Sequence, residues 1–219
     1  MLNIVIGDAE LETIPDEMRN DPVLRRMANK NKKDINYMLL DSNYMHSIIE
    51  RYYPGKSNRF GRPDIIYIFL EVALESILNK SGNLRIFIHT KRNKVIEINP
   101  EVRLPKSYNR FQGLIEDLFR KNRIVYNGNT LLDMYDMDLL SLLSRFNNVI
   151  VLSPHGEKNR LNNIISDDVC FLIGGFSEGD YITDVYKKYK SYSIFNEELT
   201  IWSVGMEVIT EYERFKGLL

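Results

Sequence analysis

The chain has 219 residues, 29 Lys and Arg against 30 Asp and Glu, a net charge of −1, 44% hydrophobic and 27% charged residues, and one cysteine. These proportions fit one globular domain over 1–219, long enough to bury a core unaided, and they exclude wholesale disorder, collagen-like repeats and coiled coil. Cys170, inside Val169-Cys170-Phe171-Leu172-Ile173, can form neither an intrachain disulfide nor a cysteine-rich metal site, so it reads as a core residue of a cytoplasmic protein.

In chain order, Leu2–Ile6 is a β-branched and apolar run closed by Gly7, the pattern of a buried first strand. The start carries no basic n-region, and no span is apolar enough for a membrane helix. Residues 19–42 are rich in Arg, Lys, Asn and Asp with scattered apolar positions and read as a surface insertion. Asp41 or Ser42 caps a helix over Tyr44–Tyr53, which Pro54-Gly55 stops. Arg62-Pro63 opens one buried helix over Ile65–Leu78, punctuated by Asn79-Lys80-Ser81-Gly82. Leu84–Thr90 and Val95–Asn99 alternate and form a hairpin through Lys91–Lys94. Helical spacing returns in Tyr108–Lys121 and again in Asp136–Arg145.

The last third gives short strands at Val149–Leu152, Val169–Ile173 and Tyr192–Phe195, with a short helix over Asp184–Lys190 before the third. A closing helix over Glu198–Phe215 carries Leu199, Trp202, Met206, Ile209 and Tyr212 on one face. Strands alternating with helices define an α/β fold with a largely parallel sheet flanked by helices.

Three constellations carry candidate chemistry. Ile173-Gly174-Gly175-Phe176-Ser177-Glu178-Gly179-Asp180 follows a buried strand, where glycines let backbone approach a ligand. It matches neither a Walker A loop nor G-x-G-x-x-G, which favours a nucleoside pocket and disfavours a nucleotide-dependent oxidoreductase. Leu152-Ser153-Pro154-His155-Gly156 follows another strand and lies beside the first loop if those strands are neighbours. His155 is a weak catalytic candidate; with His46 and His89 it is one of three scattered histidines, without the spacing of a metal site. The third constellation is basic. Arg62 stands at a helix start, and Arg103, Lys106 and Arg110 are spaced to put three cations on one side of a loop running into a helix, suited to RNA phosphates. Tyr108 and Phe111 offer faces on which an unstacked base can rest.

These residues resemble the ribosome-biogenesis pseudouridine N1-specific methyltransferases, a SPOUT-class family with an α/β trefoil knot. The resemblance rests on Arg62-Pro63-Asp64-Ile65, Ile88-His89-Thr90, Val102-Arg103-Leu104-Pro105, Asn109-Arg110-Phe111, the glycine loop and the final strand, loop and helix. It implies a homodimer whose knotted portion, 145–219, binds S-adenosylmethionine and which methylates N1 of a pseudouridine in small-subunit ribosomal RNA, with no metal. Carried over by position, the donor is held by Leu152, Gly174, Gly179 and the segment Tyr192, Ser193, Ile194, Phe195, Asn196 and Glu197. RNA falls to Arg62, Arg103, Lys106 and Arg110, and Asp64 orients Arg62. The chain departs from the family pattern at Lys106, where arginine is usual, and in the acidic pair Glu197-Glu198. A non-catalytic ribosome-assembly factor with the same RNA surface is the rival reading.

Overall fold

The computed structural model describes all residues 1–219. Eight strands form one sheet in the order β4-β5-β3-β2-β1-β7-β6-β8, where β1 is Leu2–Ala9, β2 Leu84–Thr90, β3 Lys94–Ile98, β4 Arg123–Tyr126, β5 Asn129–Asp136, β6 Asn148–Lys158, β7 Val169–Gly174 and β8 Lys190–Ser193. The five strands from β2 through β1, β7 and β6 to β8 pair in parallel. The other three extend the sheet antiparallel beyond β2, so the largely parallel sheet is confined to one half.

β1 and β7 sit inside the parallel half and are buried along their length, as strands covered on both faces must be. Alternation then assigns the faces. Leu2, Ile4, Ile6, Val169, Phe171 and Ile173 join the main 35-residue core, whereas Val5, Cys170 and Leu172 face a second core of 11 residues. Burial alone holds the Cys170 thiol far above its ordinary pKa, which keeps it an inert packing group.

Three helices cover the main core: α3 (Pro63–Leu74), α5 (Tyr108–Lys121) and α8 (Ile201–Phe215). Instead of one helix from 65 to 78, α3 ends at Leu74 and a short α4 (Ile77–Lys80) follows. The break is chemical: the Ser76 hydroxyl donates to the Ala73 carbonyl at 2.7 Å and accepts the Asn79 N–H at 3.1 Å, starting a new helix. The buried stripe of α8 runs through Ile201, Gly205, Val208, Ile209 and Tyr212. It is rotated from the expected face: the helix starts at Ile201 and not at Glu198, Leu199 lies before it and is exposed, and Trp202 and Met206 are only partly covered.

Residues 22–30 form α1, capped by Asp21, and residues 42–52 form α2, capped by Asp41. Leu24, Ala28, Met38 and Leu40 of the 19–42 segment pack with Met45, Ile48 and Ile49 of α2 into a separate nine-residue core. The scattered apolar positions thus dock the segment, while Arg25, Arg26, Lys30 and Lys32 stay exposed.

Further differences concern local elements. β4 and β5 form a hairpin that the sequence reading leaves unassigned, turning at Asn127 and Gly128, both with positive φ. The helix expected over 136–145 shrinks to α6 (Leu139–Leu143), because β5 claims Asp136 and the Asp138 side chain caps the Ser141 N–H at 2.9 Å. The helix expected over 184–190 is absent: residues 184–189 run as loop and turn into β8 at Lys190, with Val185 plugged into the second core. A short α7 (Leu161–Ile164) was also not anticipated.

Candidate active site

β6, β7 and β8 are parallel neighbours, so the loops leaving their carboxyl ends converge, the usual place for a ligand crevice in such a sheet. A cavity of about 450 Å³ opens there, within the range of small-molecule sites. Its first wall comes from a bulge in β6. Leu152 and Glu157 both align with Tyr192, so residues 153–156 loop out of the ladder. The second wall is the glycine loop, and the third runs from Tyr192 into the start of α8.

Long-range bonds hold these loops. The Tyr181 hydroxyl lies 3.1 Å from the Leu152 carbonyl and 3.2 Å from that of Leu172, joining the first wall to β7. Asp8, at the end of β1 with φ of 50°, is buried. Its Oδ2 accepts the Ile182 and Thr183 N–H groups at 2.8 and 2.9 Å, and its Oδ1 accepts the Thr183 hydroxyl at 2.9 Å. The Asp8 N–H in turn donates to His89 Nδ1 at 3.3 Å, and His89 Nε2 lies 3.1 Å from Asn93 Oδ1. Burial lowers the His89 pKa despite the Asp8 carboxylate, so the ring is neutral, with Nε2–H as the donor.

Of the residues assigned to the donor, Leu152, Gly174, Gly179, Tyr192, Ser193, Ile194, Phe195 and Glu197 line the cavity, and Asn196 does not. Gly174 makes room for the Phe176 ring, which folds back over it: a Cβ there would lie 2.5 Å from the far edge of that ring and push it aside. Sequence reasoning missed Phe176, Tyr181, Ile201 and Trp202, which add apolar and aromatic wall. The aromatics of the glycine loop were the available signal; Trp202 was hidden by its place in an amphipathic helix.

Arg62 lines the same cavity. Its Nε and Nη2 donate to the two oxygens of Asp64, both at 2.9 Å, a bidentate fork that fixes the guanidinium plane and raises the Arg62 pKa further. Asp64 stands behind Arg62, off the cavity wall, which suits an orienting group better than a base. Glu178, Asp180, Glu197 and Glu198 also line the cavity, with Arg62 as the single cation. Tyr186 bonds Ser153 Oγ at 3.0 Å and the Asp180 carboxylate; burial first, then the Asp180 bond, pushes its pKa up to about 12. His155 and His46 are exposed and off the cavity, and no group of three His, Cys, Asp or Glu side chains is placed to hold a metal ion.

The basic segment lies outside the cavity. Val102 and Leu104 are buried while Arg103 points to solvent, and the Tyr67 hydroxyl pins the loop by donating to the Lys106 carbonyl at 2.8 Å. Arg103 and Arg110 are exposed without a carboxylate partner. Lys106 pairs with Glu71 at 3.1 Å and Glu75 at 3.5 Å but stays 70% exposed, a surface contact that an incoming anion displaces easily. The base-stacking expectation fails. Phe111 is fully buried in the main core, and Tyr108 packs toward Tyr67 while donating to Asp41 Oδ2 at 2.7 Å.

A crevice at adjacent parallel strand ends, lined by a glycine loop, carboxylates and an oriented arginine, defines the chain as an α/β protein with a small-molecule site at the carboxyl edge of its sheet. The sequence pattern of the EMG1/NEP1 methyltransferase family matches residues 4–213, and the chain belongs to that family. It is 54% identical over the full length of both chains to the ribosomal RNA small subunit methyltransferase Nep1 of Thermoplasma volcanium. It is 40% identical to the protein of that name from Thermococcus sibiricus, across 97% of this chain and 98% of that one. The crystal structure of Archaeoglobus fulgidus Nep1 bound to S-adenosylhomocysteine superposes with a TM-score of 0.89 at 30% identity, covering 98% of each chain.

Proposed function

We propose that this protein is an S-adenosylmethionine-dependent methyltransferase that modifies N1 of a pseudouridine in small-subunit ribosomal RNA during ribosome biogenesis, acting as a cytoplasmic homodimer without a metal. The observation that carries this reading is one cavity in which the strand-end loops and the Asp64-oriented Arg62 face the same space. The chemistry of its walls fits the donor. Leu152, Ile173, Ile201 and Trp202 offer apolar surface for an adenine ring, and four carboxylates favour a ligand bearing a sulfonium and an ammonium.

In this reading the knotted portion 145–219 holds the donor through Leu152, Gly174, Gly179, residues 192–195 and Glu197. The donor supplies an already electrophilic methyl group, so alignment matters more than a covalent enzyme group. Arg103, Lys106 and Arg110 hold RNA phosphates and set register. Arg62, held by Asp64, presents N–H donors and positive charge where the base loses its N1 proton and negative charge develops.

Mass spectrometry of a short RNA hairpin carrying one pseudouridine, incubated with the protein and S-adenosylmethionine beside its uridine twin, tests the proposal. A gain of one methyl group on the pseudouridine strand alone is expected. No gain despite measured donor and RNA binding overturns it in favour of a non-catalytic assembly factor.

A further inference from the structure

Glu10 joins the two halves of the site. Its N–H donates to the Gly175 carbonyl at 2.9 Å, and its carbonyl accepts the Arg62 N–H at 2.8 Å. Its side chain is fully buried. Oε1 accepts from Arg59 Nε at 3.0 Å, and Oε2 accepts the Ser177 N–H at 3.2 Å and the Ser177 hydroxyl at 3.1 Å. One residue thereby makes three hydrogen bonds to the glycine loop and two to the segment carrying Arg62.

Arg59, three residues before Arg62, completes the link. Nη1 and Nη2 both donate to the Asp180 carbonyl at 3.1 Å. The guanidinium carbon sits 4.6 Å from the centroid of the Phe176 ring. Gly179 adopts φ of +79°, and a Cβ on it would lie 2.6 Å from Arg59 Nη1, so the loop is moulded around this side chain. Next to Arg59, Asn58 Nδ2 donates to Glu178 Oε1 at 3.1 Å. Behind it, Glu12 Oε1 accepts the Gly61 N–H at 2.9 Å and pairs with Lys91 at 3.2 Å, fixing the chain between Arg59 and Arg62. Neither Glu10 nor Arg59 lines the cavity, whereas Phe176, Ser177, Gly179 and Asp180 do. Burial raises the Glu10 pKa, opposed by Ser177, Lys91 and Arg59, so the carboxylate depends on those donors.

We propose that Glu10 and Arg59 are positioning residues that fix the spacing between the donor loop and Arg62, so that donor binding and RNA binding strengthen one another. The inference rests on the donor and RNA assignments proposed above. A ligand that orders the loop also orders the Arg62 segment through these shared bonds, so the second ligand meets a site already ordered; the coupling is reciprocal.

The test is calorimetric titration of S-adenosylhomocysteine into the full-length protein, with and without a pseudouridine hairpin, for wild type, Arg59→Ala, Arg59→Lys and Glu10→Gln. Wild type should bind S-adenosylhomocysteine, which reports on the donor site, several-fold more tightly with RNA present. Arg59→Ala should lose about tenfold in donor affinity, roughly 1.4 kcal/mol, keep donor-free RNA affinity within about twofold, and show no coupling. Arg59→Lys retains the pair with Glu10 but not the double contact to Asp180, so its donor affinity and coupling fall between. Glu10→Gln turns an amide toward Arg59 or Ser177 and weakens the same link, which keeps the test decisive if Arg59→Ala fails to fold. A wild type without coupling, or an Arg59→Ala protein with unchanged donor affinity or unchanged coupling, overturns the inference. A wild type that binds no donor at all refutes the functional reading instead.

Discussion

Asp8 offers a sharp test of how the donor cavity is held. Its carboxylate accepts two backbone N–H groups and one hydroxyl from residues 182 and 183, all within 2.9 Å. Asparagine tolerates the left-handed backbone at this position. Its carbonyl oxygen can keep both N–H bonds, while its amide donates to the Thr183 hydroxyl, which rotates to accept. Three bonds survive without charge assistance, and charge roughly doubles a hydrogen bond, so Asp8→Asn should cost about 1–2 kcal/mol of stability. Alanine removes all three and adds left-handed strain. At about 1.5 kcal/mol per charge-assisted bond, less what solvent restores at exposed Ile182, Asp8→Ala should cost about 4 kcal/mol. Urea denaturation followed by far-UV circular dichroism measures both losses, and titration with S-adenosylmethionine should show the larger affinity loss in Asp8→Ala. Equal losses would refute the reasoning, because the negative charge and not the accepted bonds would then be what matters.

Gly174→Val should displace the Phe176 ring and reduce donor affinity at least about tenfold (about 1.4 kcal/mol) while a cooperative thermal transition persists; wild-type affinity would remove this loop from the site. His89 gives the pH dependence. Burial lowers its pKa in the folded protein, so below the ordinary value of 6.5 the unfolded chain takes up the proton first. Its contribution is therefore fully present above pH 6.5 and lost as pH falls toward the folded value, at no more than about 1.4 kcal/mol per pH unit. Urea titrations at pH 7.5, 6.5 and 5.5 should show a smaller loss for His89→Gln than for wild type, and an equal loss would exclude His89 as the source.

The elements legible in the sequence were those whose burial is periodic and whose ends carry local punctuation. α5 runs over Tyr108–Lys121 as read, because its buried Phe111, Ile115 and Leu118 recur at helical spacing. The β2–β3 hairpin likewise follows from alternation across a short polar turn. The β4–β5 hairpin was missed although Asn127-Gly128 is a strong turn signal. Val125 and Tyr126 are exposed at its tip, and Asp136 stands exposed in the phase that buries Leu132 and Met134, so the apolar alternation is too short to announce a strand. Residues 184–190 failed for the opposite reason. Val185, Tyr186 and Tyr189 mimic helical spacing, yet Val185 plugs the second core from a turn and Tyr186 is drawn to Ser153.

The same division holds at the site. Gly174, Gly179 and Arg62 announce themselves locally, by glycine clustering after a strand and by an Arg-Pro helix start. Asp8, Glu10 and Glu12 stand in an acidic run that ordinarily forms a solvated face, yet all three are buried. Their donors are remote in sequence: Asp8 meets Thr183 across 175 residues, Glu10 meets Ser177 across 167, and Glu12 meets Gly61 across 49. No local pattern encodes such partners. Buried carboxylates also contribute little net stability, since desolvation offsets much of what their bonds return. Burial raises the pKa of both Glu10 and Glu12 despite their donors, and Glu12 Oε2 has no hydrogen-bond partner. What these acids supply is geometry, because each draws a chosen backbone N–H of a distant loop or segment to a fixed oxygen. The strand end at Asp8 and Glu10 therefore does more to shape the donor loop than the glycines that first drew attention to it.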